Sequence, residues 1–287
     1  MTYQAFGMTA VAPATLAASP YIHKAGQLDV RLATSEEEIA AAQALRYQIF
    51  YEEMGARPMP EILAARRDID AYDSICDHLL VIDHGLDGTP HVVGTYRLLR
   101  QVVAEQHRGF YSSGEFDLSP LLGCTFRNRI GAGRQLLELG RSCVDARYRN
   151  PATINLLWRG IASYLQTHNI GYMFGCASLH GTDPEEHALA LSYLHHHHLV
   201  PEDLHVRALP EHYVPMDRVP LGSYDPRAAQ RALPPLIKGY LRLGCLIGDG
   251  AFIDHQFNTV DVFILLPVER ITRRYSARYA VGANDAA

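Results

Sequence analysis

Residues 136–150 read Leu-Leu-Glu-Leu-Gly-Arg-Ser-Cys-Val-Asp-Ala-Arg-Tyr-Arg-Asn, and Pro151 follows them directly. The first nine residues are largely apolar and flanked by charge, which predicts a buried strand. Asn150 is a favourable N-cap, and Pro151 suits the first helical position. Apolar residues then recur with the spacing of one helix face, at Ile154, Leu157, Ile161, Tyr164 and Leu165. We therefore predict a strand that runs directly into a helix.

The start of this helix is a candidate site for an anion such as a phosphate. The first backbone N–H groups of a helix have no partner within it and carry partial positive charge. Arg147 and Arg149 stand just before the helix start and add positive charge. An ordinary strand–turn–helix with solvated arginines fits the same pattern.

Composition bounds the class of protein. The 287-residue chain has a formal net charge of −5 and is 48% hydrophobic, which indicates a globular protein and argues against nucleic acid as a partner. Its five cysteines are scattered and form no Cys-x-x-Cys pair, which favours free thiols in a reducing compartment and a cytoplasmic protein. No apolar run approaches the roughly 18 residues that a membrane-spanning helix needs.

The predicted elements alternate in a way that indicates an α/β (α+β) fold. Ser35 and Glu38 form a capping box that predicts a helix to about Met54. The turn sequence 85–90 predicts a hairpin between strands at 78–83 and 91–99. Further strands are predicted at residues 28–34, 171–178 and 259–266, and further helices at residues 184–198 and 233–243. This order implies a mixed sheet with helices on both faces.

The chain divides into three predicted parts. Residues 1–27, rich in Ala, Thr and Pro, predict a disordered N-terminal tail. Residues 28–270 contain no linker rich enough in Gly, Pro or Ser to split them, so we predict a single domain. Residues 271–287 are expected to form a C-terminal tail.

The order of elements, with an anion-binding turn after the fourth strand, resembles the GNAT fold of acyltransferases, which has a mostly antiparallel central sheet. In that superfamily the turn reads Arg/Gln-x-x-Gly-x-Gly/Ala, and its amides hold the pyrophosphate of coenzyme A. Here Ala152 and Ile154 replace the two small positions. Because side chains there crowd a phosphate, the departure favours a donor with one phosphodiester, such as the phosphopantetheine arm of acyl carrier protein.

Longer motifs resemble two families of acyltransferases. An ordered set within residues 45–141 is similar to the acyl-homoserine-lactone autoinducer synthases. A closer resemblance, over about residues 28–275, is to the bacterial ornithine-lipid acyltransferases. It rests on Gly-Thr-Tyr-Arg-Leu-Leu-Arg at 94–100, Leu-Glu-Leu-Gly-Arg-Ser-Cys-Val at 137–144, Phe-Gly-Cys-Ala-Ser at 174–178 and Leu-Pro-Pro-Leu-Ile-Lys-Gly-Tyr-Leu-Arg-Leu-Gly at 233–244.

The closer resemblance implies transfer of a 3-hydroxyacyl chain from acyl carrier protein to the α-amine of ornithine, giving lyso-ornithine lipid. An autoinducer synthase is the alternative enzyme, although the chain has no Trp after Phe50 and its only Trp is Trp158. A non-catalytic module that binds acyl carrier protein or lipid is the alternative without catalysis. The presence of Arg97, Glu138 and Arg141 together argues against that module.

Three catalytic residues are expected for attack of an amine on a thioester, which needs a base, donors to the oxyanion and a proton for the thiolate. Glu138 is our candidate for the base or for an ammonium anchor; a buried ion pair with Arg97 or Arg141 is its alternative. The resemblance implies a bulge whose freed N–H, near Cys143 or Val144, binds the oxyanion. It also implies that Tyr193 protonates the thiolate, with helical core packing as the alternative.

The candidate substrate-binding residues form an acidic and basic set. Three aspartates are expected to line an amino-acid pocket, Arg46 to fix them, and Arg97 to clamp a carboxylate. His180, after the fifth strand, is an alternative base because an unperturbed histidine titrates near neutral pH. The complete set is Arg46, Asp70, Asp73, Asp77, Arg97, Arg141 and His180.

Four basic residues are candidates for binding acyl carrier protein and its phosphopantetheine. Arg147 and Arg149 precede the predicted helix, and Lys238 and Arg242 lie beside the apolar face of the helix at 233–243. Core packing is the alternative for that face. Because the implied product is amphiphilic, we also expect peripheral contact with lipid at the inner face of the cytoplasmic membrane.

We expect no metal and no resident cofactor, since phosphopantetheine arrives on the carrier protein. In the run 195–198, only His195 and His198 would meet on a helix, and two ligands make a poor site. Only His78 lies at ligand spacing among Asp70, Asp73 and Asp77, so we expect no metal there either.

Overall fold

The computed structural model describes residues 23–85 and 88–271. These residues contain ten strands and nine α-helices. The strands are β1 (His23–Ala25), β2 (Leu28–Leu32), β3 (Asp77–Asp83), β4 (His91–Arg100), β5 (Phe116–Asp117), β6 (Gln135–Val144), β7 (Ile170–His180), β8 (Arg207–Ala208), β9 (Leu246–Asp254) and β10 (Thr259–Pro267). The helices are α1 (Glu36–Tyr47), α2 (Pro60–Ala65), α3 (Gln101–Ala104), α4 (Ser119–Leu122), α5 (Cys124–Ile130), α6 (Pro151–Thr167), α7 (Ala188–His198), α8 (Pro226–Ala232) and α9 (Pro235–Leu243).

All ten strands join in one sheet, in the order β1-β2-β3-β4-β6-β7-β10-β9-β8-β5. The pairs β6–β7 and β8–β9 are parallel and the remaining pairs are antiparallel. The predicted mixed, mostly antiparallel sheet is therefore confirmed.

Helices cover both faces of the sheet, as predicted. The larger core lies on the face covered by α6, α7, α8 and α9, and it includes Leu137, Leu157, Leu191 and Ile237. The opposite face carries a second core under α3, α4 and α5, which includes Leu136, Phe174 and Phe263. Alternate residues of β6 thus enter different cores, because successive side chains of a strand point to opposite faces.

Local sequence signals account for several elements. The Ser35 hydroxyl accepts a hydrogen bond from the Glu38 backbone N–H at 3.3 Å, as the capping box predicts. Asn150 caps α6 and Pro151 occupies its first turn. The hairpin of β3 and β4 forms as predicted, and a π-helical segment, Gln48–Glu53, continues α1 towards the predicted end near Met54.

Four of the described strands were not predicted, namely β1, β5, β8 and β9, and β5 and β8 have only two residues each. β1 lies within the segment that we expected to be a tail, where it pairs with β2 and His23 contacts Ser163 at 2.7 Å. β9 was not predicted, because its sequence, Leu-Ile-Gly-Asp-Gly-Ala-Phe-Ile-Asp, has two glycines and two acids and lacks clean alternation. The remainder of the N-terminal tail, residues 1–22, and residues 272–287 lie outside the described residues.

Two sequence expectations concern cysteines and membranes. All five cysteines are free thiols. Within residues 23–85 and 88–271, no helix combines the length and the apolar character needed to cross a membrane.

Candidate active site

A cavity of about 480 Å³ lies where two central strands diverge. The parallel pairing of β6 and β7 ends at Glu138 and Phe174, although β6 continues to Val144 and β7 to His180. Leu139, Ala177 and Leu236 line the cavity from the face that α9 covers, and acidic side chains line it from the other face. The cavity therefore passes through the sheet between the two strands.

Gly175 allows the two strands to approach closely just where they begin to separate. A Cβ atom at this position would overlap the carbonyl oxygen of Leu139, which is backbone and cannot rotate away. The cavity thus begins directly after a contact that only glycine permits.

A bulge in β6 faces the cavity at Arg141 and Ser142. The register pairs Gly140 with Arg97 and Cys143 with Thr95, so two residues of β6 oppose one residue of β4. Arg141 adopts a left-handed conformation, with φ of 51°. The expected bulge is present, but its displaced N–H groups are those of Arg141 and Ser142, because Cys143 has already rejoined the ladder.

Glu138 lies in the cavity wall and accepts three hydrogen bonds. The donors are the Tyr111 backbone N–H at 2.8 Å, the Ser112 backbone N–H at 2.7 Å and the Ser112 hydroxyl at 2.5 Å. Burial raises the pKa of Glu138, although the Ser112 hydrogen bonds oppose the shift. No ion pair joins Glu138 to Arg97 or Arg141 in the described structure, so the alternative of a buried ion pair is wrong.

The arginines of the candidate set neutralise aspartates beside the cavity. We call this cluster the Arg–Asp network. Each arginine bridges two carboxylates at N–O distances of 2.6–3.1 Å: Arg46 binds Asp68 and Asp73, Arg97 binds Asp70 and Asp73, and Arg141 binds Asp68 and Asp70. Three positive charges thus balance three negative charges. Burial would raise the pKa of Asp73, but the Arg46 guanidinium bound to it holds that pKa well below its usual range.

Two arginines of the network also line the cavity, whereas the three aspartates do not. Arg97 and Arg141 both lie over the Tyr111 ring, and Arg141 also lies 4.5 Å from the centre of the Phe257 ring. Of the three aspartates that we expected Arg46 to fix, it contacts Asp73 but not Asp70 or Asp77. Asp68 was missed, because nothing in the irregular segment around it marked one acid over another.

Three predicted residues lie away from the cavity. Asp77 faces α6, where it accepts a hydrogen bond from the Tyr164 hydroxyl at 2.5 Å and pairs with Arg100. His180 is exposed at the end of β7. Tyr193 packs against His197 and His198 in the core beneath α7 and does not line the cavity. These placements remove the geometric basis for the roles that we expected.

The start of α6 offers no free backbone N–H to an anion. The Asn150 side chain accepts from the N–H groups of Ala152 at 3.0 Å and Thr153 at 3.1 Å, and the Asn150 carbonyl accepts from Ile154. Pro151 has no N–H. The expected anion site at these amides is therefore wrong, because the N-cap residue already uses them.

The basic candidates near α6 and α9 have their own contacts. Arg149 lines the cavity and forms a bidentate ion pair with Glu53. Arg147 is exposed and pairs with Asp145. Lys238 donates to the Arg231 carbonyl at 2.8 Å, and Arg242 is exposed on α9.

The cysteines of the cavity wall are poor nucleophiles. Burial raises the pKa of Cys76 and of Cys143 to about 12 and that of Cys176 well above its usual value. The thiolate is the reactive form of cysteine, so all three side chains are neutral and unreactive near pH 7.

Sequence reasoning missed three acidic residues of the cavity wall. Glu115, Asp254 and Asp261 bring one carboxylate oxygen each to within 4.8 Å of the other two, and we call them the carboxylate cluster. The cluster could hold a cation, including a metal ion. The available signal was Asp261 within an apolar strand, flanked by Val260 and Val262.

Comparisons with known proteins identify the family. Residues 45–159 match the model of the acetyltransferase (GNAT) domain. The chain is 50% identical to L-ornithine N(alpha)-acyltransferase of Brucella abortus over 90% of its length and 91% of the relative's, and 50% identical to that of Rhizobium meliloti over 93% and 88%.

Solved structures similar to this chain have low sequence identity to it. FeeM, an N-acyl amino acid synthase from uncultured soil microbes, is 12% identical, with a TM-score of 0.47 over 84% of this chain and 91% of that chain. LasI, an AHL synthase, is 13% identical, with a TM-score of 0.42 over 83% of this chain and 89% of that chain. The chain is 50% identical to the Brucella abortus and Rhizobium meliloti proteins over about nine-tenths of its length. It is therefore an acyltransferase that belongs to the L-ornithine N(alpha)-acyltransferase family.

Proposed function

We propose that the protein transfers a 3-hydroxyfatty acyl group from acyl carrier protein to the α-amine of L-ornithine and so makes lyso-ornithine lipid. The observation that carries this proposal is the cavity between β6 and β7, which gives one space both an apolar and an acidic wall. An acyl thioester suits the wall with Leu139 and Leu236, and an amino acid with two amines suits the acidic wall. The names of the relatives support ornithine as the acceptor.

Acyl carrier protein is the donor that the start of α6 favours. A coenzyme A pyrophosphate would need free amides there, and Asn150 already occupies those of Ala152 and Thr153. A phosphopantetheine arm carries a single phosphodiester and needs fewer donors. Arg149 lines the cavity, and we propose that its guanidinium exchanges Glu53 for this phosphodiester or for an acidic carrier surface.

Glu138 is the group that we assign to the acceptor amine. It takes a proton from the α-ammonium, the neutral amine attacks the thioester carbonyl, and the carbon–sulfur bond breaks to release the thiol. Two protons leave the nitrogen in all: Glu138 takes the first before attack and passes it to solvent, and the second, lost from the attacking nitrogen after attack, protonates the thiolate. Backbone N–H groups at the Arg141–Ser142 bulge supply the oxyanion donors in this scheme.

The product determines where we expect the protein to act. A lyso-lipid carries one fatty chain and must reach a bilayer, so we propose a cytoplasmic protein with peripheral contact at the inner face of the membrane. Leu236 is 42% exposed on α9 beside Lys238, which makes this helix the candidate contact. Co-sedimentation with anionic vesicles, compared with neutral vesicles, tests this contact.

The reaction itself is tested by incubating the protein with a 3-hydroxyacyl carrier-protein thioester and L-ornithine. Mass spectrometry should detect Nα-acylornithine, with release of one thiol for each amide formed. A lactone formed only with S-adenosylmethionine would instead identify an autoinducer synthase. Binding of the carrier without thiol release would identify a non-catalytic module, and faster reaction with acyl-coenzyme A would overturn the proposed donor.

A further inference from the structure

The carboxylate cluster of Glu115, Asp254 and Asp261 has no counter-charge within the described structure. No arginine, lysine or histidine there forms an ion pair with any of the three. Arg141 is the cation whose charge reaches both Glu115 and Asp261. Its guanidinium forms ion pairs with Asp68 and Asp70 instead, so its charge is neutralised within the Arg–Asp network.

Two buried polar atoms at the cluster also lack hydrogen-bond partners among the described residues. They are Oδ1 of Asp261 and Oγ1 of Thr259. Asp261 is 6% exposed and Thr259 is 2% exposed, and both line the cavity. A buried polar atom without a partner is costly, and although the nearby Ser178 and Thr259 hydroxyls lower the pKa of Asp261, neither forms a hydrogen bond with Oδ1. Both oxygens can accept, so a group that brings N–H donors would satisfy them.

We propose that the carboxylate cluster and Thr259 bind the side-chain ammonium of a diamino acid acceptor and thereby select ornithine over amino acids with uncharged side chains. The inference rests on the proposed function and extends it by assigning the second amine to its own subsite. Glu138 would then face the α-amine, and the cluster would hold the amine that is not acylated. An ammonium has three N–H donors, which match the oxygens of Asp261, Asp254 and Thr259.

The electrostatics of the empty cluster support a cationic ligand. Burial, together with the Asp261 carboxylate, raises the pKa of Glu115 to about 8, and burial raises that of Asp261 to about 6. Carboxylates in this state lack a favourable positive neighbour. A bound ammonium would stabilise their charged forms and offset the cost of burying them.

The test compares two acceptors, L-ornithine and L-norvaline, which share a five-carbon chain but differ in the terminal amine. Asp261→Asn and Asp254→Asn should each lower kcat/KM for ornithine by about 10- to 100-fold, with kcat/KM for norvaline changed less than about threefold. Two variants are used so that a folding defect in one does not decide the outcome. Asp254→Asn keeps the Oδ1 oxygen that accepts from the backbone N–H groups of Gln256 and Phe257.

The matched control is Asp217→Asn, which removes an exposed carboxylate outside the cavity. It should leave kcat/KM unchanged for both ornithine and norvaline. An equal loss for both acceptors, or no loss for ornithine, would overturn the subsite. Mg²⁺ or Mn²⁺ binding that disappears in Asp261→Asn, with ornithine selectivity intact, would also overturn it and identify a metal site.

Failure of the proposed function is distinguishable from failure of this subsite. If the wild-type protein acylates neither acceptor, the acyl-transfer proposal fails. Calorimetric binding of ornithine and norvaline to the wild-type protein and Asp261→Asn still decides the subsite. Tighter binding of ornithine that Asp261→Asn abolishes supports it, and equal affinities for the two amino acids contradict it.

Discussion

Glu138 combines burial with two backbone donors and one hydroxyl donor, which suits a carboxylate that must be held in place while it changes charge. Its three donors come from the Tyr111–Ser112 segment, which follows β4 in the chain and packs over the sheet face that carries Glu138. The side chain is 4% exposed. Burial favours the neutral acid and the donors favour the anion, so the two effects oppose each other.

Glu138→Gln should lower kcat by at least about 100-fold, because general-base catalysis contributes about 10²- to 10⁴-fold. Binding of acyl carrier protein should be unchanged. The amide NH₂ of Gln would face the Tyr111 N–H, so a stability loss of about 1–3 kcal/mol is also expected. Single-turnover kinetics, carrier-binding affinity and thermal unfolding separate these effects; full activity would remove Glu138 from catalysis.

The buried Glu115 carboxyl should make the stability of the unliganded protein depend on pH. Its pKa is raised from 4.5 to about 8, so the folded state holds a proton that the unfolded state releases. Stability contributed by this neutral acid is full below pH 4.5 and is lost as pH rises towards 8, by at most about 1.4 kcal/mol per pH unit. Glu115→Gln stays neutral, so its free energy of unfolding should rise relative to that of the wild-type protein as pH increases from 4.5 to 8.

Urea unfolding of both proteins at pH 5, 6.5 and 8 measures this gain. A difference in the free energy of unfolding that stays constant with pH would contradict the raised pKa. Saturating ornithine should shrink the difference if the ammonium occupies the carboxylate cluster.

At the scale of elements, the divergence of β6 and β7 creates the cavity, and the residues at its closed end set its width. Gly175 lies against the Leu139 carbonyl there. Gly175→Ala must push the strands apart, so we expect a loss of about 1–3 kcal/mol in the free energy of unfolding and a larger proportional loss of activity. Urea unfolding and kcat/KM are the measurements.

Gly239→Ala is the control for this substitution. Gly239 lies in α9, and a Cβ atom there would meet nothing within 4 Å. It should be neutral or stabilise the protein by up to about 1 kcal/mol, since alanine favours helix. If Gly175→Ala behaves like Gly239→Ala, the close approach does not set the cavity.

The turn from β6 into α6 supports a prediction about the donor. Arg149→Ala should raise the KM for acyl carrier protein about 3- to 30-fold, with kcat little changed, and the effect should weaken as salt increases. Arg227→Ala, on the exposed surface of α8, is the matched control. An unchanged KM in Arg149→Ala would exclude Arg149 from carrier binding.

At the scale of the whole molecule, the Arg–Asp network connects α1, the segment after α2, β4 and β6 around one buried guanidinium. Arg46 has no exposed surface and binds Asp68 and Asp73. Arg46→Met should cost about 3–5 kcal/mol, because it leaves buried carboxylates without their partner. Urea unfolding at pH 7 measures this cost.

Arg66→Met provides the contrast on the surface. Its ion pair with Glu52 is largely exposed, so the substitution should change the free energy of unfolding by less than about 1 kcal/mol. Equal effects of Arg46→Met and Arg66→Met would show that the network does not stabilise the fold.

Local sequence signals predicted most of the long elements and their order, although not β9. The capping box at Ser35 and Glu38, the N-cap at Asn150 and the alternating apolar runs are local signals, because they depend on backbone dihedrals and neighbours a few residues away. They were sufficient to predict the mixed sheet, the strand–helix unit at β6 and α6, and Glu138 in the wall of the site.

Long-range packing, by contrast, determines which side chains come together at the candidate site. Asp254 and Asp261 lie on the adjacent strands β9 and β10, whereas Glu115 lies before β5, far from them in the chain. No local pattern encodes the approach of Glu115 to the other two. Asp68, which was not predicted, binds Arg46 beside the predicted Asp73. Asp77 and Tyr193 were predicted, but they contact Tyr164 and His197 and do not line the cavity. Strand order, a bulge and the direction of each helix face set these distances, since long-range packing rather than local conformation brings charges together.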